Sequence, residues 1–268
     1  MGRVVISSAE ESPLAEFPQL TGVGTNGRIK SRGVIAAADR GLFLWMHELS
    51  PGAEIHWEAP PIGHVAYVWS GDVEVGRTVL GADAALIVEH NGRAGVRAGS
   101  NGATLAHFHE REAGHKPPRR AGGNVHVLGP EGILSGTFDS NGIDYTLYAD
   151  SDCPTCELWM HARASHVELP PNGRHFHSED EIMLIRAGGM LLGRRTLGRG
   201  TALAIDADTI YTFANPPEGL SFVNFRSVEP YYVRVSPKNE PLHAPICERT
   251  LIRDSALHHY VSIGPSAP

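Results

Sequence analysis

The chain has 268 residues, 41% of them hydrophobic and 20% charged, with 30 glycines and 19 prolines spread along it, a composition that excludes a disordered chain and suits many short elements joined by turns. A formal charge of -7 without any basic run excludes nucleic acid as a partner. No apolar stretch reaches the roughly 18 residues of a membrane span, and MGRVVISSAEESPLAEF lacks the apolar core of a signal peptide, so no membrane partner and a cytoplasmic location are expected.

In chain order, the segments VAYVW (65–69), ALIVE (85–89), IDYTLYA (143–149), EIMLI (181–185) and TIYTF (209–213) are short, apolar and β-branched or aromatic, and Gly, Pro or Asn cuts them off from one another. Those are strand signals, and their spacing predicts an all-β sandwich or barrel. HKPPRRAGGN (115–124) reads as a linker and SPKNEPLHAPIC (236–247) as a connecting arm, while CERTLIRDSALHHY (247–260) is the one helix expected. Three cysteines make no disulfide framework. Cys153 and Cys156 form CPTC, which is read as a turn: redox use wants the motif opening a helix, whereas ELWMHARA after it reads as a strand, and a zinc site would want a second CxxC, which is absent.

The sequence repeats itself. LWMH occurs at 44–47 and again at 158–161, an offset of 114; SGDVEVGR (70–77) parallels AGGMLLGR (187–194), and GATLAHFHE (102–110) parallels GLSFVNFRS (219–227), both at an offset of 117. The period is too long for a solenoid and has the size of a small domain. Two domains are therefore expected, 1–120 and 121–268, which superpose with Trp45 on Trp159 and Gly71 on Gly188.

Within the second copy, NGRHFHSEDEI (172–182) sets His175 and His177 two apart, on one face of a strand, with Glu181 four further on. Two imidazoles and one carboxylate on one side of a cation leave coordination positions open, as a catalytic metal centre requires. In the first copy the same register holds Glu58, Pro60 and His64, and proline binds no metal, so that copy is expected to have lost the site. His56, His64, His107 and His109 have no ligand spacing and are given structural roles.

These residues resemble the first motif of the cupin superfamily, a glycine (Gly173), then HxH, Glu181 and, seven residues later, Gly188. The second motif is only partly present: Gly198 and Asn215 stand at its ends, Asp206 and Asp208 take the PxG positions, and Tyr211 takes that of the histidine. The resemblance covers both repeats and implies two tandem jelly-roll barrels, a bicupin. It implies a mononuclear divalent metal, Fe(II) before Mn, Ni or Zn, on His175, His177 and Glu181. Tyr211 is left as a ligand, a proton-transfer group or packing.

The function expected from this is a metal-dependent enzyme acting on a small organic molecule, first a dioxygenase, with a redox-neutral lyase or isomerase and a non-catalytic ligand-binding protein as alternatives. Tandem barrels of this kind are also expected to form homodimers.

Overall fold

A computed structural model of the chain describes residues 2–112, 114, 118–137 and 142–235, and as backbone alone 138, 241–242 and 262–263. Among the described residues there are strands and turns and no helix; the helix expected over 247–260 lies outside them. Every strand pairing is antiparallel, as the alternating, half-buried segments require. The fold is all-β, in jelly-roll sheets.

Two compact units divide the chain. The N-terminal unit is Ala9–Ile133 with Ser151–Glu157 and His259–Pro268; the C-terminal unit is Met1–Ser8, Leu134–Asp150 and Leu158–His258. Residue 120, where a boundary was expected, falls inside the first. The strand Val4–Ser8 pairs with Thr201–Ile205 of the C-terminal unit, Val4 opposite Ile205, and the CPTC segment belongs to the N-terminal one.

In the N-terminal unit the long strand Arg93–Glu110 lies between Leu42–Leu49 and His64–Val75. The C-terminal unit repeats this with Leu220–Arg226 between Trp159–Ser165 and Glu181–Leu192. Gly71 stands opposite Ala103, and Gly188 opposite Leu220. Both glycines have positive φ, 75° and 65°, and a Cβ on either would meet the carbonyl oxygen of the following repeat glycine, Gly102 or Gly219, at 2.3 and 2.1 Å. The same two-glycine crossing thus recurs at the offset of 117.

The LWMH repeat does not keep that equivalence. Trp45 pairs with His107, but Trp159 pairs with Arg226, the counterpart of His109. In strand register Trp45 therefore corresponds to His161 and not to Trp159, a slip of two residues. Strand side chains have a period of two, so the slip leaves each residue on its original face and the core stays apolar.

Each unit has its own core. Leu49, Ile55, Trp57, Val68, Leu86 and Leu105 pack together in the N-terminal unit, and Met183, Ile185, Leu203, Tyr211, Phe213 and Phe222 in the C-terminal one. Burying side chains of this size contributes about 1.5–3 kcal/mol each, which holds the strands while polar residues occupy the remaining inward positions. TIYTF, expected as a strand, is held instead by a single isolated bridge, His175 to Tyr211.

Candidate functional site

Inward-facing residues of adjacent strands build the interior of the C-terminal unit. His161 faces Asn224 and Arg163 faces Phe222 across one strand pair; Arg226 follows on the same face, and Glu181 lies beyond it. Glu181 is buried and both its oxygens are engaged: Oε1 accepts a hydrogen bond from the Tyr211 hydroxyl at 2.6 Å, and Oε2 accepts from Asn224 Nδ2 at 2.7 Å and Arg226 Nη2 at 2.5 Å. Burial on its own raises the pKa of this carboxyl, but the Arg226 guanidinium, His177 and the bonds from Tyr211 and Asn224 outweigh it and bring it down to about 2.

His175 and His177 are placed as their spacing predicts, side by side on a strand with ring centroids 5.4 Å apart. The Tyr211 ring lies 4.4 Å from that of His175 and 6.3 Å from that of His177. The four residues expected at the site are thus gathered in one interior. Their donor atoms, however, do not close on a point: among the described residues the group of His, Cys, Asp and Glu donors that converges to within 4.8 Å is elsewhere. Glu181 has Arg226 as its counter-charge and three donors on its oxygens, an arrangement that does not fit a divalent cation held by His175, His177 and Glu181.

The interior is rich in unused donors. Arg163 lies with its guanidinium carbon 5.8 and 6.0 Å from the ring centroids of Phe213 and Phe222, and its Nη1 has no hydrogen-bond partner; nor do Nε and Nη1 of Arg226, while Asn224 Oδ1 is the matching unused acceptor. The sequence pattern points to neither arginine, because both lie outside the HxHxxxE segment and only strand pairing turns them inward.

The N-terminal unit carries histidines at the corresponding places. His64 takes the position of Glu181, His107 that of Asn224 and His109 that of Arg226. His64 faces His109 directly across the strands. With His47 they form a buried chain: Ser31 Oγ to His47 Nδ1 at 2.9 Å, His47 Nε2 to His107 Nδ1 at 3.2 Å, and His107 Nε2 to His64 Nδ1 at 2.9 Å, with Nε2 of His64 and of His109 left without partners. Burial first, and then the neighbouring His109, pushes His47 down to about 3. Burial takes His109 to about 4 against a raising bond to the Glu110 carbonyl, and holds His64 and His107 well below their ordinary value. Three of the four histidines set aside in the sequence therefore do come together, with His47 replacing His56.

The converging group is Glu89, His126, Cys153 and Cys156, all buried in the N-terminal unit. CPTC, read as a turn, brings both of its cysteines to this group. The other two members come from two strands: Glu89 directly follows Ala85–Val88, and His126 lies on Val125–Leu128, paired with it. His126 Nε2 is 2.8 Å from Glu89 Oε1, and Cys153 Sγ is 3.4 Å from Glu89 Oε1 and 3.8 Å from His126 Nε2.

Comparison with known proteins gives structural likeness alone. No family model matches the chain and no curated protein does. Among solved structures it resembles YlbA of E. coli (10% identity, TM-score 0.63, covering 83% of this chain and 90% of that one). A Nostoc punctiforme protein assigned as a dioxygenase is also similar (11%, TM-score 0.61, 84% and 83%). So is a mutant of Bacillus subtilis oxalate decarboxylase (13%, TM-score 0.58, 85% and 78%). At these identities the fold is what is shared, and it is the cupin fold. The chain is a tandem cupin-fold protein, with one interior built on Glu181 and Arg226 and the other on neutral histidines.

Proposed function

We propose that the C-terminal unit is an enzyme active site for a small, carboxylate-bearing organic molecule, and that Tyr211 moves a proton there in a redox-neutral lyase or isomerase reaction. One observation carries this reading. The interior is left with donor nitrogens of Arg163 and Arg226 without partners, beside a tyrosine hydroxyl bonded to an ionised carboxylate. A carboxylate substrate satisfies buried guanidinium N–H groups in paired fashion. Glu181, held ionised with its pKa lowered to about 2, orients the Tyr211 hydroxyl and does not take its proton; the tyrosine gives that proton to a basic atom of the substrate and recovers it from the product. Asn224 and Arg226 fix the Glu181 carboxylate, and the His175 ring lies tilted against the tyrosine ring with centroids 4.4 Å apart.

The metal-dependent dioxygenase reading has two supports. His175, His177 and Glu181 share one interior, and a neighbour of the same fold is assigned as a dioxygenase. It requires Arg226 to release Glu181.

The experiment is to incubate the chain with a panel of small keto and hydroxy acids in deuterated water while following oxygen uptake and the metal content of the protein. Deuterium incorporation or turnover without oxygen uptake, reduced about 10²- to 10⁴-fold in Tyr211→Phe, supports the proposal. Arg163→Met is expected mainly to raise KM. Oxygen uptake that depends on metal bound at His175 and His177 replaces this reading by the dioxygenase. Tight ligand binding with neither deuterium exchange nor turnover makes the protein a binder.

A further inference from the structure

We infer that Glu89, His126, Cys153 and Cys156 form a closed tetrahedral zinc site that holds the CPTC segment on the N-terminal unit. This does not rest on the function proposed for the other unit, since all four residues belong to Ala9–Ile133 and Ser151–Glu157.

Geometry comes first. Four ligands at usual zinc distances, about 2.3 Å for sulfur and about 2.0–2.2 Å for nitrogen and oxygen, stand roughly 3.3–3.8 Å from one another at the corners of a tetrahedron. The four donor atoms here lie within 4.8 Å of one another, and the separations of 3.4 and 3.8 Å from Cys153 Sγ to Glu89 and His126 fall in that range. The 2.8 Å separation between His126 and Glu89 is a hydrogen bond that a cation would open by a few tenths of an ångström.

A second argument separates a metal site from a nucleophilic triad of the same residue types. In a triad the histidine uses its two ring nitrogens in opposite directions, one toward the nucleophile and one toward the carboxylate. Here both Cys153 Sγ and Glu89 Oε1 are near the same atom, His126 Nε2. Donors that meet at a point, rather than in a line, suit a central ion.

The surroundings are those of a structural site. The Cys156 N–H donates to Cys153 Sγ at 3.3 Å, so the turn of the CxxC itself stabilises thiolate. Arg120 donates to the carbonyls of Cys153, Cys156 at 2.7 Å and Ser151 at 2.9 Å, fixing the backbone of the segment. Glu89 Oε2 accepts from the Asn124 N–H at 3.0 Å, and Oε1 from Thr155 Oγ1 at 2.7 Å. These bonds orient the ligands as outer partners do in metal centres. Two thiolates, an imidazole and a carboxylate select zinc over the hard cations, and four protein ligands leave it no open position for substrate. Binding is ligand exchange without redox change: zinc sheds water, and the protons of the thiols and of the ring nitrogen pass to solvent.

The test uses the full, tag-free chain purified without chelator. Element analysis is expected to find about one zinc per chain, retained in the His175→Ala/His177→Ala double variant, which keeps the outcome separate from any metal in the C-terminal unit. Zinc falls at least about tenfold in Cys153→Ser and Glu89→Gln and returns in Glu89→Cys; hydrogen bonding alone would be kept better by glutamine than by cysteine. Should the serine variant fail to fold, cobalt exchanged into the unaltered chain reads the site directly, through thiolate-to-cobalt charge-transfer bands and the intense d–d bands of a tetrahedral centre. A zinc-free chain whose two thiols titrate freely, a Cys153–Cys156 disulfide in the purified protein, or octahedral cobalt bands would each overturn the assignment.

Discussion

Arg226 Nη2 and Glu181 Oε2 meet at 2.5 Å with both side chains 1% exposed, at the two places where the N-terminal unit puts His109 and His64. The same pair of inward positions carries opposite full charges in one unit and two neutral rings in the other. That exchange separates a polar, donor-rich interior from one whose histidines are kept uncharged.

Breaking the charge pair from one side is expected to be costly. Arg226→Leu leaves a buried carboxylate without its counter-ion and destabilises the C-terminal unit by about 3–5 kcal/mol, whereas the double change Glu181→Leu/Arg226→Leu costs clearly less. Urea unfolding monitored by tryptophan fluorescence measures both. A cost in the double variant equal to that in the single one would show that Glu181 does not need the arginine. The carboxyl of Glu181 is lowered from its ordinary 4.5 to about 2, so its contribution is present above 4.5 and is lost as pH falls from there through 2.

His47, His64, His107 and His109 of the N-terminal unit respond at higher pH. Their pKa values are lowered when folded, so below the ordinary value of 6.5 the unfolded chain binds protons that the folded unit refuses, and stability falls with pH from 6.5 toward the folded values of about 3 for His47 and 4 for His109. Each histidine held neutral costs about 2 kcal/mol at pH 5. Thermal unfolding of zinc-loaded protein at pH 7 and pH 5 should show a smaller drop in His64→Gln than in the unaltered chain. Equal drops would mean that His64 is protonated in the folded unit.

The recurring glycines give a backbone test. Gly188→Ala combines a positive φ of 65° with a Cβ 2.1 Å from the Gly219 carbonyl oxygen, while Gly193 has a φ of 60° and open space around it. Gly193→Ala should cost about 1–2 kcal/mol, the strain of the left-handed conformation alone, and Gly188→Ala more, because strand Leu220–Arg226 has to move as well. Differential scanning calorimetry of the two variants decides it, and equal costs would refute the close crossing.

Much of this was written locally in the sequence. Short apolar segments cut by glycine and proline specify strands, the glycine pairs 71/102 and 188/219 mark one crossing made twice, and His175 and His177 share a face because a strand has a period of two. The slip of LWMH by two residues was not legible, since an even slip changes no side chain's face and leaves the apolar pattern intact. Nor was the partner of Glu181: Arg226 lies 45 residues away, and nothing local distinguishes it from a surface arginine.

By itself the sequence determined an all-β chain built of two similar halves and the placing of His175 and His177 on one strand face, because these follow from side-chain period, turn chemistry and repetition along the chain. Only the tertiary structure decided what those residues do to one another. Strand pairing set Arg226 and Asn224 on Glu181, His47 on His107, and Glu89 and His126 around the two cysteines of CPTC, and burial then determined which of these groups are charged.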